Sequence, residues 1–178
     1  MTDDLRARLE RCDAEARGTE IAFRLLAVRL RSRSELADRL RRRGIPSETI
    51  EELLADLVRR GVIDDARFAG AWVRGRLTLQ PSGAVRLRQE LRSKGVSREI
   101  IDQAVSSALS ERGESELALA LSVARNRAPR YRGLSHEAAY RRLGALLQRR
   151  GFPAGVIAQV LRSVVGREGN LQGVESET

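Results

Sequence analysis

The stretch ELADRLRRRGIPSETIEELLADLV, residues 35–58, decides the fold because its pattern occurs three times in this chain of 178 residues. The segments RLRQELRSKGVSREIIDQAVSSAL (86–109) and RRLGALLQRRGFPAGVIAQVLRSVV (141–165) align with it on Gly44, Gly95 and Gly151. Counted from each glycine, apolar residues occupy positions −8, −4, +1, +6, +10 and +14 in all three segments. An internal repeat of about 50 residues indicates an array of similar units.

The spacing of the apolar positions predicts helices. Positions −8 and −4, and then +6, +10 and +14, lie on single faces of two α-helices. The glycine between them suits the left-handed position that ends a helix, and the apolar residue after it packs back at the corner. A third helix precedes each pair, in IAFRLLAVRLRS (21–32), DDARFAGAWVRGRLTL (64–79) and ESELALALSVARNR (114–127).

The predicted fold is therefore all-α. We expect three tandem three-helix repeats that form an elongated, curved array, preceded by a charged N-terminal helix. The predicted parts are an N-terminal helical extension (1–18), three modules (19–62, 63–111 and 112–166) and a disordered tail (167–178), which has few residues that could pack.

Helix-capping residues mark several of the predicted boundaries. Ser32 and Glu35 fit a capping box ahead of the second helix. We also expect Thr19, Ser47 and Ser97 to cap the helices that follow them.

The composition indicates a folded cytoplasmic protein. Hydrophobic residues make up 42% and charged residues 32% of the chain, which is typical of a globular, helix-rich protein. The single cysteine, Cys12, excludes an internal disulfide and fits a reducing compartment. No segment approaches the roughly 18 consecutive apolar residues of a membrane span, and residues 1–18 lack the apolar region of a signal peptide. Because no coiled coil is evident, we expect a monomer without a membrane partner.

Catalytic chemistry is not indicated by the sequence. Asp64 and Asp65 are adjacent, so they do not share a helix face, and an N-cap followed by a first-turn acid accounts for both. His136 is the only histidine, and Cys12 has no CxxC partner. No phosphate-binding glycine motif precedes a helix. We therefore expect no enzyme activity, no catalytic residue, no metal site and no cofactor.

Two aromatic residues stand four apart in the second module. Phe68 and Trp72 are most simply part of its core stripe. The alternative is that Trp72 is exposed and anchors a protein partner.

The charge predicts a polyanionic partner. The net charge is +9 and the isoelectric point is near 11.2, which is typical of proteins that bind nucleic acid or acidic surfaces. Eight arginines lie within residues 24–43 and eight more within 125–150. Aromatic residues make up only 3% of the chain, which argues against base-stacking platforms. A structural alternative is that arginine stems at helix ends cover apolar surface.

Three segments carry a resemblance to a known family. LLAVRLRSRSELADRLRRRGI (25–45), GVIDDARFAGAWVRGR (61–76) and GAVRLRQELRSKGVSREII (83–101) resemble the RecX family of bacterial recombination regulators. The resemblance covers roughly residues 20–165. It implies a helical protein that lies in the groove of the filament formed by RecA on single-stranded DNA. It also implies inhibition of RecA, with reduced ATP hydrolysis, strand exchange and co-protease activity.

The basic clusters and the resemblance together predict the binding residues. The residues expected to contact the RecA filament or its nucleic acid are Arg29, Arg31, Arg33, Arg41, Arg42, Arg43, Arg76, Arg92, Lys94, Arg149 and Arg150.

Two other functions remain open at this level. Three-helix modules also occur in helix-turn-helix transcription regulators, which place a recognition helix in the major groove. The chain could alternatively be a scaffold that binds acidic proteins without DNA. A repressor would recognise a particular operator, whereas a filament regulator would show no preference for a duplex sequence.

Overall fold

In the computed structural model, residues 3–165 are described, and all regular secondary structure in this range is helical. The helices are α1 (Asp3–Val28), α2 (Arg33–Arg41), α3 (Ser47–Arg59), α4 (Asp65–Leu79), α5 (Ala84–Arg92), α6 (Arg98–Glu111), α7 (Glu116–Arg127), α8 (His136–Arg149) and α9 (Ala154–Val164). A short 3₁₀ helix (Ala128–Tyr131) follows α7. The predicted all-α class is confirmed, with α1–α3, α4–α6 and α7–α9 as the first, second and third repeats. The predicted disordered tail lies outside the described residues, and the predicted module boundaries and curved shape stay predictions.

The first helix differs from the expectation. A separate N-terminal helix was predicted to end before Thr19, but α1 runs without a break through 26 residues. Thr19 therefore lies inside a helix and is not an N-cap. The Ala, Glu and Arg residues around it are good helix formers. Gly18 stays in the helix because it is buried: a Cβ there would approach the Leu53 side chain to 3.1 Å.

The chain turns in the same way between the second and third helix of each repeat. We call these turns the first corner (residues 43–45), the second corner (94–96) and the third corner (150–152). Their glycines, Gly44, Gly95 and Gly151, have positive φ values of 78°, 70° and 76°, which glycine adopts at little cost. In each corner the next N–H donates back to the carbonyl five residues earlier, as from Ile45 to Leu40 at 3.2 Å. The predicted glycine-terminated helices are confirmed.

Four of the six apolar columns are buried in every repeat. At positions −8, −4, +1 and +10, the exposed fraction is at most 6% for Leu36, Leu87, Leu143, Leu40, Leu91, Leu147, Ile45, Val96, Phe152, Leu54, Val105 and Leu161. Position +6 is buried in two repeats, and Ile157 is only half-buried. Position +14 fails at Val58, which is 43% exposed. Four-residue steps rotate about 40° beyond a full helical turn, so two such steps carry +14 off the buried face. Position +13, Leu57, is buried instead.

The described chain groups into two compact units. Residues 3–71 and 91–101 form the first. In it, α1 packs against α2 and α3, and α2 packs against α3. Its core consists of Ala22, Leu36, Leu40, Ile45, Ile50, Leu53, Leu54, Leu57 and Ile63.

Residues 72–90 and 102–165 belong to the second unit. In it, α7, α8 and α9 pack against one another. Its buried residues include Leu119, Ala120, Val123, Ala124, Leu143, Leu147, Val160 and Leu161.

The capping predictions are confirmed in part. The Ser32 hydroxyl accepts from the Glu35 N–H at 3.1 Å, but the Glu35 carboxylate pairs with Arg29 and Lys94 instead of closing the box. Ser97 accepts from the Ile100 N–H at 3.5 Å. Ser47 is the first residue of α3 and makes no cap, because Pro46 takes the N-cap position.

Candidate nucleic-acid interface

Three consecutive arginines lie at the first corner. Arg41, Arg42 and Arg43 follow the last turns of α2, and all three are exposed. Arg41 pairs with Asp38 one turn earlier, with 2.7 Å between Nη1 and Oδ1. The side chains of Arg42 and Arg43 have no hydrogen bond or ion pair with any residue from 3 to 165. Interaction with the helix dipole is worth only about 0.3–1 kcal/mol here, so these guanidinium groups remain available to a polyanion.

The arginines between α1 and α2 have structural partners. Arg29 pairs with Glu35 at 3.2 Å, and Arg33 pairs with Glu51. Arg31 donates through Nε to a backbone carbonyl in the last turn of α1, at 3.2 Å. Burial, followed by the positive charge of Arg29, lowers the pKa of Arg31. These residues hold the connection between α1 and α2, and Arg29 and Arg33 still expose part of their side chains.

Lys94, the one lysine of the chain, is part of an ion pair in the first unit. Its ammonium lies 2.9 Å from Glu35 Oε1, and only 17% of its side chain is exposed. Burial raises the pKa of Glu35, but hydrogen bonds from Arg29 and Lys94 outweigh it, so the pKa lies below its ordinary value. The structure therefore gives Lys94 a structural role within the protein.

The basic residues near the ends of α5 and α8 divide into two kinds. Arg92 and Arg149 are exposed, and their side chains pair with no residue of the described chain. Arg150 is half-buried and donates through Nη1 to the Pro81 carbonyl at 2.8 Å. Burial, followed by the charges of Arg127 and Arg86, lowers the pKa of Arg150. Arg150 thus holds a backbone segment in place.

Arg76 belongs to a network in the second unit. It makes two 2.8 Å hydrogen bonds to the Glu90 carboxylate and lies 5.4 Å from the centre of the Trp72 ring. Trp72 donates to the same carboxylate at 3.2 Å. The prediction that Trp72 is a core residue is wrong, since it is half-buried, whereas Phe68 is buried as predicted. The indole N–H needs a hydrogen-bond partner, and Glu90 provides one at the edge of the core.

The predicted binding residues therefore differ in availability. Those with exposed side chains and no partner in residues 3–165 are Arg42, Arg43, Arg92 and Arg149. The contacts of Lys94 and Arg150 were not foreseen from the sequence. A signal existed in Ser32 and Gly83, which both stand twelve residues before their corner glycines.

The residues considered for catalysis have structural roles or none. Asp64 caps α4 by accepting from the Arg67 N–H at 2.9 Å, and Asp65 accepts from the Arg33 N–H at 2.8 Å. His136 stacks on Tyr140 with ring centres 6.5 Å apart. Across the described part of the chain, no group of three or more His, Cys, Asp or Glu side chains could hold a metal ion. Within that part, no helix is both long and apolar enough to cross a membrane.

Comparison with family models gives the identity of the fold. Residues 19–57, 64–105 and 114–161 match the first, second and third three-helix domains of RecX, in that order. The chain belongs to the RecX family. The resemblance found in the sequence is thus confirmed, including its third repeat.

Relatives and solved structures agree with this assignment. The chain is 41% identical to regulatory protein RecX of Amycolatopsis mediterranei (strain U-32), over 80% of each chain. It is 40% identical to regulatory protein RecX of Streptomyces lividans, over 84% of this chain and 78% of that protein. The crystal structure of RecX from Lactobacillus salivarius has a TM-score of 0.71 at 23% identity, covering 86% of this chain and 97% of that one. A second crystal structure of a regulatory protein RecX gives 0.75 at 24% identity, covering 90% and 77%. The RecX fold is therefore shared.

Proposed function

We propose that this chain regulates the RecA recombinase, mainly as an inhibitor. It binds in the groove of the RecA filament on single-stranded DNA and reduces ATP hydrolysis, strand exchange and co-protease activity. The relatives are named regulatory proteins, and the net charge of +9 suits a filament that contains nucleic acid.

The observation that carries this proposal is the exposed arginine run at the first corner of a RecX fold. Arg42 and Arg43 have no partner among the described residues, and the structure needs neither of them for packing. A guanidinium group binds phosphate or carboxylate through two parallel hydrogen bonds. The arginine run therefore supports binding to DNA phosphates or to acidic groups of the recombinase.

Three similar domains on one chain favour a repetitive partner. Each domain would contribute a weak contact, and linkage raises the effective concentration of the next one. Arg92 in the second domain and Arg149 in the third are the exposed counterparts of the first corner's arginines. We further propose that the protein acts as a cytoplasmic monomer and has no catalytic turnover of its own.

A binding experiment separates this proposal from a helix-turn-helix regulator. The protein is mixed with RecA filaments on single-stranded DNA, with the same DNA alone, and with duplex fragments of varied sequence. We expect the tightest binding to the filament, with no preference among duplexes. A footprint on one duplex sequence, with no affinity for the filament, would favour a transcription regulator instead.

A further inference from the structure

The second corner is covered by the first turn of α2. The Ser32 hydroxyl is fully buried and donates to the Lys94 carbonyl at 2.6 Å. The Lys94 ammonium pairs with Glu35 in the first turn of the same helix, at 2.9 Å. A Cβ built on Gly95 would lie 2.3 Å from the Cβ of Ser34. The helix start therefore packs directly on the glycine and leaves no room for a side chain.

The third corner is covered in the same way by the first turn of α5. The Gly83 N–H donates to the Arg150 carbonyl at 2.8 Å, and Arg86 donates through Nη1 to the Arg149 carbonyl at 2.9 Å. A Cβ built on Gly151 would lie 2.4 Å from the Cβ of Arg86. Here too a side chain on the corner glycine would clash.

The two contacts are copies of one joint. Ser32 and Gly83 occupy equivalent positions, and each donates to the carbonyl just before the glycine of the next corner. A helix start has free N–H groups, and a helix end has free carbonyls. The opposite ends of the two helix dipoles also attract. A corner of this protein is therefore a surface that accepts a helix start.

An acid completes each joint. The Asp65 carboxylate, at the start of α4, accepts from the Arg33 N–H at 2.8 Å. The Glu116 carboxylate, at the start of α7, accepts from the Ala84 N–H at 2.7 Å. Arg33 and Ala84 directly follow Ser32 and Gly83, so the equivalence of the two joints extends to this second hydrogen bond.

The first corner has the same backbone without such a cover. Apart from the chain neighbours of Gly44, no described atom lies within 4 Å of a Cβ built there. Arg43 is the counterpart of Lys94 and Arg150, and its carbonyl accepts no hydrogen bond from residues 3–165. Within the described chain, the first corner is therefore a joint surface with no helix start on it.

A second copy of the chain does not offer the matching helix start. In the third repeat, the position equivalent to Ser32 and Gly83 is Ala139. Because α8 begins at His136, Ala139 lies inside the helix, and its N–H already donates to the Ser135 carbonyl at 2.9 Å. The corresponding starts of α2 and α5 are already used in the two joints. The occupant of the first corner is therefore a different protein.

We propose that the first corner is a docking site for the start of a helix on the protein subunit of the filament, a proposal that rests on the proposed function. The docking helix carries Ser or Gly at its N-cap, so that an O–H or N–H donates to the Arg43 carbonyl. An acid in its first turn pairs with Arg42 or Arg43, as Glu35 pairs with Lys94. A DNA phosphate would satisfy the arginines, but an ionised phosphate has no donor for the carbonyl. The chemistry of the corner thus favours protein over DNA.

Two glycine substitutions test the proposal. Gly44→Asn fills the first corner with a side chain. Gly61→Asn is the matched control, because Gly61 has a similar φ of 67° and also has no neighbour within 4 Å. Asn tolerates the left-handed conformation better than most residues. Thermal midpoints are measured for both variants, together with affinity for RecA–single-stranded-DNA filaments and for the bare single strand.

We expect both variants to unfold at similar temperatures. Gly44→Asn should bind the filament about tenfold more weakly than Gly61→Asn, as expected when a buried hydrogen bond and its surrounding contact are lost. Both should bind bare single-stranded DNA alike. If Gly44→Asn unfolds early, Arg43→Gln replaces it, since this exposed side chain has no partner in the described chain.

The proposal is overturned if the corner variants bind the filament as tightly as Gly61→Asn. It is also overturned if they lose the same factor in affinity for bare single-stranded DNA, which would place DNA at the corner. A wild-type protein without affinity for the filament would instead contradict the proposed function itself.

Discussion

The hydroxyl of Ser32 donates a 2.6 Å hydrogen bond to the carbonyl of Lys94, 62 residues further along the chain. The same hydroxyl accepts from the Glu35 N–H at 3.1 Å and so caps α2. One buried oxygen therefore begins a helix of the first repeat and holds a corner of the second. This double role explains why Ser32 is fully buried although it is polar.

Replacing Ser32 should cost more than replacing an ordinary cap. Ser32→Ala removes the cap and leaves the Lys94 carbonyl without its donor, so we expect a loss of about 2–4 kcal/mol in unfolding free energy. Ser115→Ala is the control, because Ser115 caps α7 from an exposed position, and it should cost about 1 kcal/mol. Urea denaturation of both variants measures the difference. Equal losses would mean that the bond to Lys94 contributes little.

The equivalent leucines of the three repeats should be equally sensitive. Leu40, Leu91 and Leu147 are all 0% exposed, and truncation of each to Ala should cost about 2–5 kcal/mol. Val58→Ala serves as the contrast, since Val58 is 43% exposed and should change stability by about 0.5 kcal/mol or less. Denaturation midpoints test this expectation. An unchanged midpoint for Leu91→Ala would contradict the equivalence of the repeats.

The sequence predicted what depends on local pattern. The apolar columns around Leu40, Leu91 and Leu147 identified the paired helices and the repeat, because helix geometry fixes which residues share a face. The Asp64 cap was predicted for the same reason: its partner is three residues away.

Features that depend on distant partners could not be predicted in this way. Lys94 was expected on a binding surface because it follows the basic column, but its ion pair is with Glu35 in another repeat. Thr19 had the character of a cap, and the continuation of α1 depends on the packing of its neighbour Gly18 against Leu53. In both cases a tertiary contact overrides a local preference.

The pH dependence of stability should involve Glu90. Burial raises the pKa of Glu90, but hydrogen bonds from Arg86 and Arg76 outweigh it, so the pKa lies below its ordinary value of 4.5. A carboxyl whose pKa is lowered by folding stabilises the fold above its unfolded-state pKa, and this stability is lost as the pH falls through the folded-state pKa. The wild type should therefore lose stability below about pH 4.5.

The matching variant is Glu90→Gln, which cannot titrate. Its unfolding free energy should fall less between about pH 7 and pH 3 than that of the wild type. Glu137→Gln is the control, because the Glu137 side chain is 79% exposed, and it should follow the wild type. The same decline in Glu90→Gln and wild type would show that the Glu90 network has no part in acid sensitivity.

The arginines of the first corner should matter for binding and little for folding. Arg41→Gln/Arg42→Gln removes two exposed charges and one surface ion pair, so the thermal midpoint should change little. Filament binding should weaken clearly. If the lost contacts are to phosphates, the salt dependence should also become shallower, by a slope of about 0.7–0.9 for each. Arg149→Gln, in the third domain, tests whether that domain binds in parallel. Normal inhibition by both variants at moderate salt would place the binding surface elsewhere.

The central claim, that this RecX-family protein inhibits RecA, is tested most directly by the ATPase activity of RecA on single-stranded DNA. Preformed filaments are titrated with the purified protein, and ATP hydrolysis is followed at each concentration. We predict a dose-dependent fall in the rate, with the Arg41→Gln/Arg42→Gln variant needing a higher concentration for the same effect. An ATPase rate that stays constant, at protein concentrations that saturate filament binding, would contradict the claim.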